Sequence, residues 1–346
     1  MGPVREQPAD PRAAGAEVPS PPPTTPPRVP ALRLREAMLG PERWLRRLAK
    51  PISRRVRDPL PSLSFHVKQL RLSQIELTRR VARLEETARR GEAPPRTERL
   101  HASPGWGSAT PAVSVLTAVY DHERYLTAAL DSLARSSYTD VELIVVDDGS
   151  RDESATRARS WIDDHPELPA LLVRHPVNEG LPAARNTALA EARGDRVLPL
   201  DADNELYPTC IERLSAAFDR DPEAAFAYGI LETFDDRGRR GFRGIRGWDT
   251  RRLRAGNYID ALALVRRSVL LGLGGFVTDP RLYGWEDYEL WCAIAAAGMR
   301  GAHVREVVAR YRVGGASMIS TTNLSEREAR AVLAERHPGL FGAGGG

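Results

Sequence analysis

Short apolar segments alternate with longer amphipathic segments from residue 113 to residue 203, and this alternation restricts the possible folds most strongly. The apolar segments have the length of strands, and the first two are apolar nearly throughout, as expected for strands covered on both faces. The predicted strands are residues 113–119, 141–146, 171–174 and 196–200, and the predicted helices are residues 124–136, 152–163 (capped by Ser150) and 182–194. Such an order predicts an α/β fold with a mostly parallel central sheet flanked by helices.

The region before this alternation has a different composition. Residues 1–61 form a proline-rich and then basic arm, which we expect to be disordered. Its basic part could be a solvated arm or could contact an anionic membrane surface as a peripheral element. Residues 62–92 have the apolar spacing of a helix, which suggests a short coiled coil and a homodimer, or a helix packed on the main domain. The predicted organisation continues with a linker (93–110), the main domain (111–322) and a C-terminal helix with a Gly-rich tail (323–346).

Composition and charge exclude several classes of protein. There are only two cysteines, Cys210 and Cys292, and no spacing typical of a zinc site. No apolar run has the length of a membrane span, and the N-terminus lacks the layout of a signal peptide, so we expect a cytoplasmic protein. The formal net charge is +4, with the basic excess in residues 31–60 rather than across the main domain. We therefore expect no nucleic-acid partner.

Two acidic clusters directly follow predicted strands. Residues 147–150 (Asp-Asp-Gly-Ser) follow the second strand, and residues 201–204 (Asp-Ala-Asp-Asn) follow the fourth. Ligands of parallel sheets bind beyond the carboxyl ends of the strands. Carboxylates there can hold a divalent cation, which in turn can hold a diphosphate. Each cluster alone could instead be a polar turn, and the sequence has no Gly-rich phosphate loop.

A third acidic cluster opens a predicted helix. Glu286 and Asp287 follow Trp285 and precede an apolar stretch that Gly298 ends. Acidic residues at a helix start are favoured by the helix dipole whatever their role. A carboxylate there could also take a proton from an incoming hydroxyl group. The flat face of Trp285 could support a sugar ring.

Five segments, in order along the chain, resemble the motifs of family 2 glycosyltransferases. Residues 113–117 are similar to the opening strand, 145–150 to the nucleotide-contacting segment, 178–186 to the N-x-G and A-R-N stretch, 200–204 to the DxD metal site and 285–287 to the ED motif on the acceptor side. Each motif alone is weakly specific, but five in the same order form a specific pattern. The resemblance implies a GT-A fold, which is Rossmann-like.

The resemblance also implies a reaction and a set of roles. The reaction is an inverting, metal-dependent transfer of a sugar from a UDP-, GDP- or dTDP-sugar to the hydroxyl of a glycan or lipid-linked acceptor, in cell-envelope or other glycan synthesis. The implied cofactor is Mn²⁺ or Mg²⁺, and the cation and the catalytic acid are expected to share one cleft. Asp287 is implied as the catalytic base with Glu286 beside it, Asp203 and Asp201 as metal ligands, and Thr117, Val119, Asp121, Asp148, Arg185, Asp201 and Trp285 as contacts of the nucleotide-sugar.

The sequence departs from the family pattern near its C-terminal end. Gly314 stands where a histidine often contacts the metal or a phosphate, so the metal has one ligand fewer or Arg312 and Ser317 hold the diphosphate. The Arg-rich residues 233–255 are expected to form a loop that orders on binding, with a solvated loop as the alternative. The alternative function is a catalytically inactive GT-A scaffold or a nucleotide-binding interaction protein.

Overall fold

A computed structural model describes residues 97–314 and 326–342 of the chain. The predictions for the disordered arm, the helix at 62–92, Ser317 and residues 343–346 lie outside the described residues. The same holds for the membrane contact of the arm and for a homodimer through the helix.

The first half of the described domain follows the predicted alternation. The predicted linker contains strand β1, and helix α2 begins at Ser154 rather than at a cap formed by Ser150. The Ser150 hydroxyl instead accepts a hydrogen bond from the Asp121 backbone at 3.1 Å, so it joins two loops. The elements are β1 (Glu98–Ala102), β2 (Val113–Val119), α1 (Glu123–Ala134), β3 (Val141–Asp147), α2 (Ser154–Asp164), β4 (Ala170–Arg174), α3 (Leu181–Glu191) and β5 (Arg196–Pro199).

The second half is less regular. Residues 233–255, expected as a loop, complete strand β7 and form a hairpin with β8, followed by helix α5. The hairpin turn uses Gly238, whose φ of 110° lies in the left-handed region that glycine adopts readily. The elements are β6 (Glu205–Leu206), α4 (Cys210–Arg220), β7 (Phe226–Asp235), β8 (Gly238–Arg243), α5 (Thr250–Ala255), β9 (Ala263–Arg266), α6 (Arg267–Gly272), α7 (Glu286–Ala296), β10 (Gly301–Arg312), α8 (Glu326–Arg336) and α9 (Pro338–Phe341).

The strands form one sheet in the order β1-β4-β3-β2-β5-β9-β7-β10-β6, with β8 paired to β7. Pairing is parallel from β4 to β5 and between β7 and β10, and antiparallel in the other ladders. Parallel pairing is therefore confined to the predicted β–α units and one later pair. The sheet contains fewer parallel ladders than the mostly parallel sheet that the sequence predicted. The result is a mixed α/β fold.

The core lies on both faces of this sheet because successive strand residues point to opposite sides. In β3, Leu143 and Val145 pack in one apolar cluster, whereas Ile144 and Val146 pack in the other. Burial on both faces explains why the central strands are apolar nearly throughout. Strands β2, β3 and β5 end at the same edge of the sheet, where ligands of parallel sheets bind. Within the described residues, no helix is both long enough and apolar enough to span a membrane.

Candidate active site

The loop after β5 holds the first part of the candidate site. Asn204 is buried and fixes this loop in two directions. Its side-chain oxygen accepts a hydrogen bond from the backbone of Arg312 at 3.0 Å, and its amide donates to Asp201 at 3.4 Å. The carboxylate of Asp201 is thereby held at the strand end, with 29% of the side chain exposed.

Arg185 of helix α3 connects this loop with the start of helix α7. Its guanidinium donates to Asp201 Oδ1 at 2.7 Å and lies 3.4 Å from Glu286 Oε1. The side chain is 3% exposed and passes over the ring of Phe276. The two carboxylates raise the pKa of Arg185 against the opposing effect of burial. Arg185 thus joins two motifs that are 85 residues apart in sequence (286 − 201 = 85).

The start of α7 presents two carboxylates of different accessibility. Glu286 is buried, and its Oε2 atom has no hydrogen-bond partner within the described part of the chain. Asp287 is more open and accepts a hydrogen bond from the side chain of Asn257 at 2.9 Å. Both lie in the first helical turn, where the helix dipole favours negative charge.

These groups line one cavity of about 620 Å³. Its volume lies within the usual range of small-molecule sites, about 300–1,000 Å³. Asp201 and Asp287 both line this cavity, whereas Asp203 is not among the lining residues, so a single cleft for the cation and the catalytic acid stays a prediction. The predicted site residues that line the cavity are Arg185, Asp201, Trp285, Glu286 and Asp287.

Asp260 also lines the cavity, and sequence reasoning missed it. It lies between α5 and β9, in a segment with no predicted strand end and no motif of the family. Its Oδ1 accepts a hydrogen bond from the backbone of Leu262 at 3.1 Å, and its Oδ2 lies 3.6 Å from Arg243 Nη1. Only tertiary packing brings this carboxylate to the site, so no local sequence signal marks it.

Burial and mutual repulsion shift the pKa values of three carboxyl groups. Burial, followed by the charges of Glu286 and Asp260, raises the pKa of Asp287 to about 7. Burial and the charge of Asp201 raise the pKa of Asp203 to about 6. The same two causes raise the pKa of Asp260 to about 6. Like charges that crowd one site in this way favour the binding of a proton or a cation.

The carboxylate oxygens at the end of β5 fit a divalent cation that is also held by the phosphates of a bound substrate. No cluster of three or more His, Cys, Asp or Glu side chains suited to a metal occurs in residues 97–314 and 326–342. Asp201 and Asp203 supply carboxylate oxygens at the strand end. Mg²⁺ commonly binds through one or two carboxylates together with substrate phosphates and waters, so two carboxylates are sufficient for such a site.

Thr117 and Val119 were expected near the nucleotide base through their backbone, and that contact stays a prediction. Thr117 is fully buried and Val119 is 2% exposed, so neither offers accessible surface. The carbonyl of Val119 already accepts a hydrogen bond from the Asp148 backbone at 2.8 Å. Asp121, by contrast, has 36% of its side chain exposed at the end of β2 and pairs with Arg151.

Asp148, also predicted to bind the nucleotide, is directed into the protein. Its carboxylate accepts hydrogen bonds from the backbone of Glu179 and Gly180, both at 2.8 Å, and from His175 Nδ1 at 2.7 Å. Only 2% of the residue is exposed. Asp148 therefore positions the loop before α3, and its contact with a nucleotide stays a prediction.

This role predicts a loss of stability on replacing Asp148 by Asn. The amide has one acceptor oxygen fewer and would leave a buried donor unsatisfied, so we expect unfolding to become about 1–3 kcal/mol easier. Urea unfolding measures the change. Asp121→Asn is the matched control, because this exposed site has a φ of 51° that Asn tolerates well. Equal stability of the two variants would contradict the positioning role.

Gly314 follows β10 at the position where the family often has a histidine. Glycine has no side chain that could take the place of the imidazole. Gly314 adopts a φ of 104°, which suits glycine. The Arg312 guanidinium is engaged by Asp236 at 3.0 Å and lies over the rings of Tyr125 and Phe234. Arg312 thus ties protein elements together, and its contact with a diphosphate stays a prediction.

Comparison with known proteins finds similar glycosyltransferases. The family described as "Glycosyl transferase family 2" matches residues 114–273. The putative glycosyltransferase EpsE of Bacillus subtilis is 26% identical over 204 residues, which cover 58% of this chain and 73% of EpsE. The putative glycosyltransferase EpsH of the same organism is 35% identical over 105 residues, which cover 30% of each chain.

The fold has a counterpart among solved structures. The crystal structure of S. aureus TarS 1-349 in complex with UDP-GlcNAc matches with a TM-score of 0.53 and 18% identity, and the match covers 66% of this chain and 70% of TarS. At that identity the likeness shows the fold, which is of the GT-A type. Residues 114–273 are therefore similar to glycosyl transferase family 2, in agreement with the motifs of the sequence.

Proposed function

We propose that this protein is an inverting, metal-dependent glycosyltransferase that moves a sugar from a nucleotide diphosphate-sugar to an acceptor hydroxyl group. The observation that carries the proposal is the shared cavity, in which the strand-end carboxylate Asp201 and the helix-start pair Glu286 and Asp287 are joined by Arg185. The homologous glycosyltransferases and the nucleotide-sugar in the TarS complex support the donor class.

In the proposed reaction Asp287 acts as the general base. Its carboxylate accepts the proton of the acceptor hydroxyl group while the oxygen attacks the anomeric carbon. The bond between that carbon and the donor oxygen breaks, and the nucleoside diphosphate leaves with the electron pair. A single displacement of this kind inverts the anomeric configuration. The raised pKa of Asp287, about 7, suits a base that works near neutral pH.

Arg185 and Glu286 have supporting roles in this proposal. Arg185 fixes Asp201 and Glu286 relative to each other, so the donor end and the acceptor end of the cavity keep one geometry. Asp201 and Asp203 would hold Mn²⁺ or Mg²⁺, which when bound offsets the negative charge of a departing diphosphate. Trp285 lines the cavity and offers a flat apolar face to a sugar ring.

We further propose that the acceptor is a glycan or is lipid-linked, as the family resemblance implies. We also propose a cytoplasmic location, as the sequence predicts. The outer lining of the cavity supports an amphipathic acceptor. Phe242 and Ile245 are exposed apolar residues of this lining, and the cationic Arg246 lies beside them.

The metal-dependent part of the proposal can be tested by binding. We expect UDP, GDP or dTDP to bind the purified chain more tightly with Mn²⁺ or Mg²⁺ than with EDTA, and Asp203→Asn to remove this increment. Isothermal titration calorimetry measures the affinities. Asp163→Asn is the control, because Asp163 is exposed, pairs with His101 and does not line the cavity.

Transfer itself is tested with a panel of nucleotide-sugars and chromatographic detection of the released nucleoside diphosphate. The proposal predicts release with at least one donor, abolished in Asp203→Asn and retained in Asp163→Asn. Binding of a nucleoside diphosphate without turnover of any donor or acceptor would instead favour the inactive scaffold. Identical affinities with Mn²⁺ and with EDTA would contradict the metal site.

A further inference from the structure

Asp260 is a carboxylate that the proposed reaction does not use. It lines the cavity, and its side chain is 12% exposed. Its charge raises the pKa of Asp287, and the charge of Asp201 raises its own pKa. Asp260 shares the cavity with Asp201, at the end that would hold the diphosphate, and with Asp287, the proposed general base.

The surroundings of Asp260 fix its orientation and leave it capacity for a ligand. The backbone of Leu262 donates to Oδ1 at 3.1 Å, whereas among the residues that the structure describes Oδ2 has only the loose ion pair with Arg243 at 3.6 Å. Arg243 itself lies over the ring of Tyr311, another residue of the cavity lining. A carboxylate oxygen accepts two hydrogen bonds, so Oδ2 can accept one from a bound molecule.

Glu286 gives an independent indication of the ligand. Its Oε2 atom is buried and lacks a hydrogen-bond partner within the described residues, although the side chain lines the cavity. A buried acceptor without a donor is costly, and more so when the group is charged. A ligand with several hydroxyl groups would supply donors to Glu286 and to Asp260 together.

The charge balance around this part of the cavity restricts the ligand further. We define the carboxylate cluster as Asp201, Asp260, Glu286 and Asp287, which interact with the two guanidinium groups of Arg185 and Arg243. The other charged lining residues are Arg246, which is exposed, and the ion pair of Glu326 and Arg330 on helix α8. The four acids of the cluster outnumber the two arginines that pair with them, so a further anionic group would be repelled.

We propose that Asp260 is a specificity-determining residue that accepts a hydrogen bond from a hydroxyl group of the transferred sugar, and that the carboxylate cluster selects a neutral, hydroxyl-rich sugar and rejects a uronic acid. This inference rests on the proposed function, because it assigns the sugar of the same donor. Asp260 has the position for this role, because the sugar being transferred lies between the diphosphate and the general base Asp287. Arg243 and Leu262 orient the carboxylate.

The test compares donors that differ only in the sugar. UDP-glucose with UDP-glucuronate, or GDP-mannose with GDP-mannuronate, forms a matched pair for whichever nucleotide the chain binds. We expect the wild type to bind the neutral donor at least tenfold more tightly than the uronate. Asp260→Asn should lower the affinity for the neutral donor roughly 10–100-fold, because a hydrogen bond to a charged group is stronger than one to a neutral group. The affinity for the free nucleoside diphosphate should change less than twofold. The ratio of the affinities for the neutral donor and for the uronate should therefore become smaller.

Calorimetry gives these affinities, and the thermal midpoint of each variant reports whether it is folded. Asp163→Asn, outside the cavity lining, should retain every wild-type affinity. Equal binding of the neutral donor and the uronate by the wild type would overturn the inference while the proposed function stands. Equal losses for the sugar conjugate and the free nucleoside diphosphate in Asp260→Asn would overturn it too. A wild type that binds no nucleotide-sugar at all would contradict both.

Discussion

Replacing Asp287 by Asn is expected to lower kcat roughly 10²–10⁴-fold, the range that a general base contributes. The amide cannot accept the proton of the acceptor hydroxyl group, so the attacking oxygen would remain neutral. The affinity for the donor should change little, because Asp287 lies at the helix start and the diphosphate end is formed by the loop after β5. Steady-state kinetics with a saturating donor, combined with donor binding by calorimetry, separate the two effects.

The pH profile provides a readout that a structural role would not produce. Asp287 must be deprotonated to act, and its pKa is raised to about 7 by burial and by the charges of Glu286 and Asp260. The rate of the wild type should therefore rise with pH up to about 7 and level off above it. In Asp287→Asn the residual rate should lack this rise.

Asp163→Asn serves as the matched control, since it is the same change at an exposed carboxylate outside the cavity. Its kcat and pH profile should match those of the wild type. A kcat for Asp287→Asn within threefold of the wild type, with the rise near pH 7 intact, would remove Asp287 from the mechanism.

The sequence predicted the parallel part of the fold well because burial on both faces leaves a direct mark on composition. Strand β2 was predicted at its observed bounds, and β3, β4 and β5 within one residue at each end. The hairpin of β7 and β8 was missed because its Arg-rich strand β8 lies largely exposed, paired only with β7. Cross-strand pairing between distant residues, not local periodicity, decides such a strand.

The site was predictable where a motif follows a strand or opens a helix, and less so where tertiary contacts decide. Asp201, Glu286 and Asp287 line the cavity as the motifs predict. Asp148 also follows a strand, but its contact with His175, 27 residues away, directs it inward. Asp260 reaches the cavity without any motif. A sequence pattern therefore shows that a carboxylate lies near the strand ends, and packing determines which way it faces.

Replacing Arg185 by Met is expected to cause the largest loss of stability, about 3–5 kcal/mol, because it leaves buried charge without its partner. Arg185 neutralises Glu286, which is buried, and Asp201, which is partly exposed. Met keeps the apolar part of the contact with Phe276, so the change isolates the loss of the guanidinium group. Urea unfolding followed by circular dichroism measures the free energy.

The loss of stability in Arg185→Met should increase as the pH rises. Burial already raises the pKa of Glu286 in the folded state, and removing Arg185 takes away the charge that most lowers it. An acid whose folded pKa is raised destabilises the fold as pH rises from its unfolded pKa, about 4.3, through the folded value. Arg185→Met should therefore be more destabilised at pH 8 than at pH 5.

A double variant and a matched control separate the site from general stability. Arg185→Met with Glu286→Gln removes the unpaired charge and should recover much of the lost stability, particularly at pH 8. Arg193→Met breaks another ion pair to a fully buried acid, Glu142, at 2.6 Å, but Arg193 does not line the cavity. Both single variants should lose stability, whereas only Arg185→Met should lose transfer activity under conditions where each remains folded. Equal activity of the two folded variants would show that Arg185 stabilises the domain without organising the cavity, because the geometry of Asp201 and Glu286 would then be maintained without it.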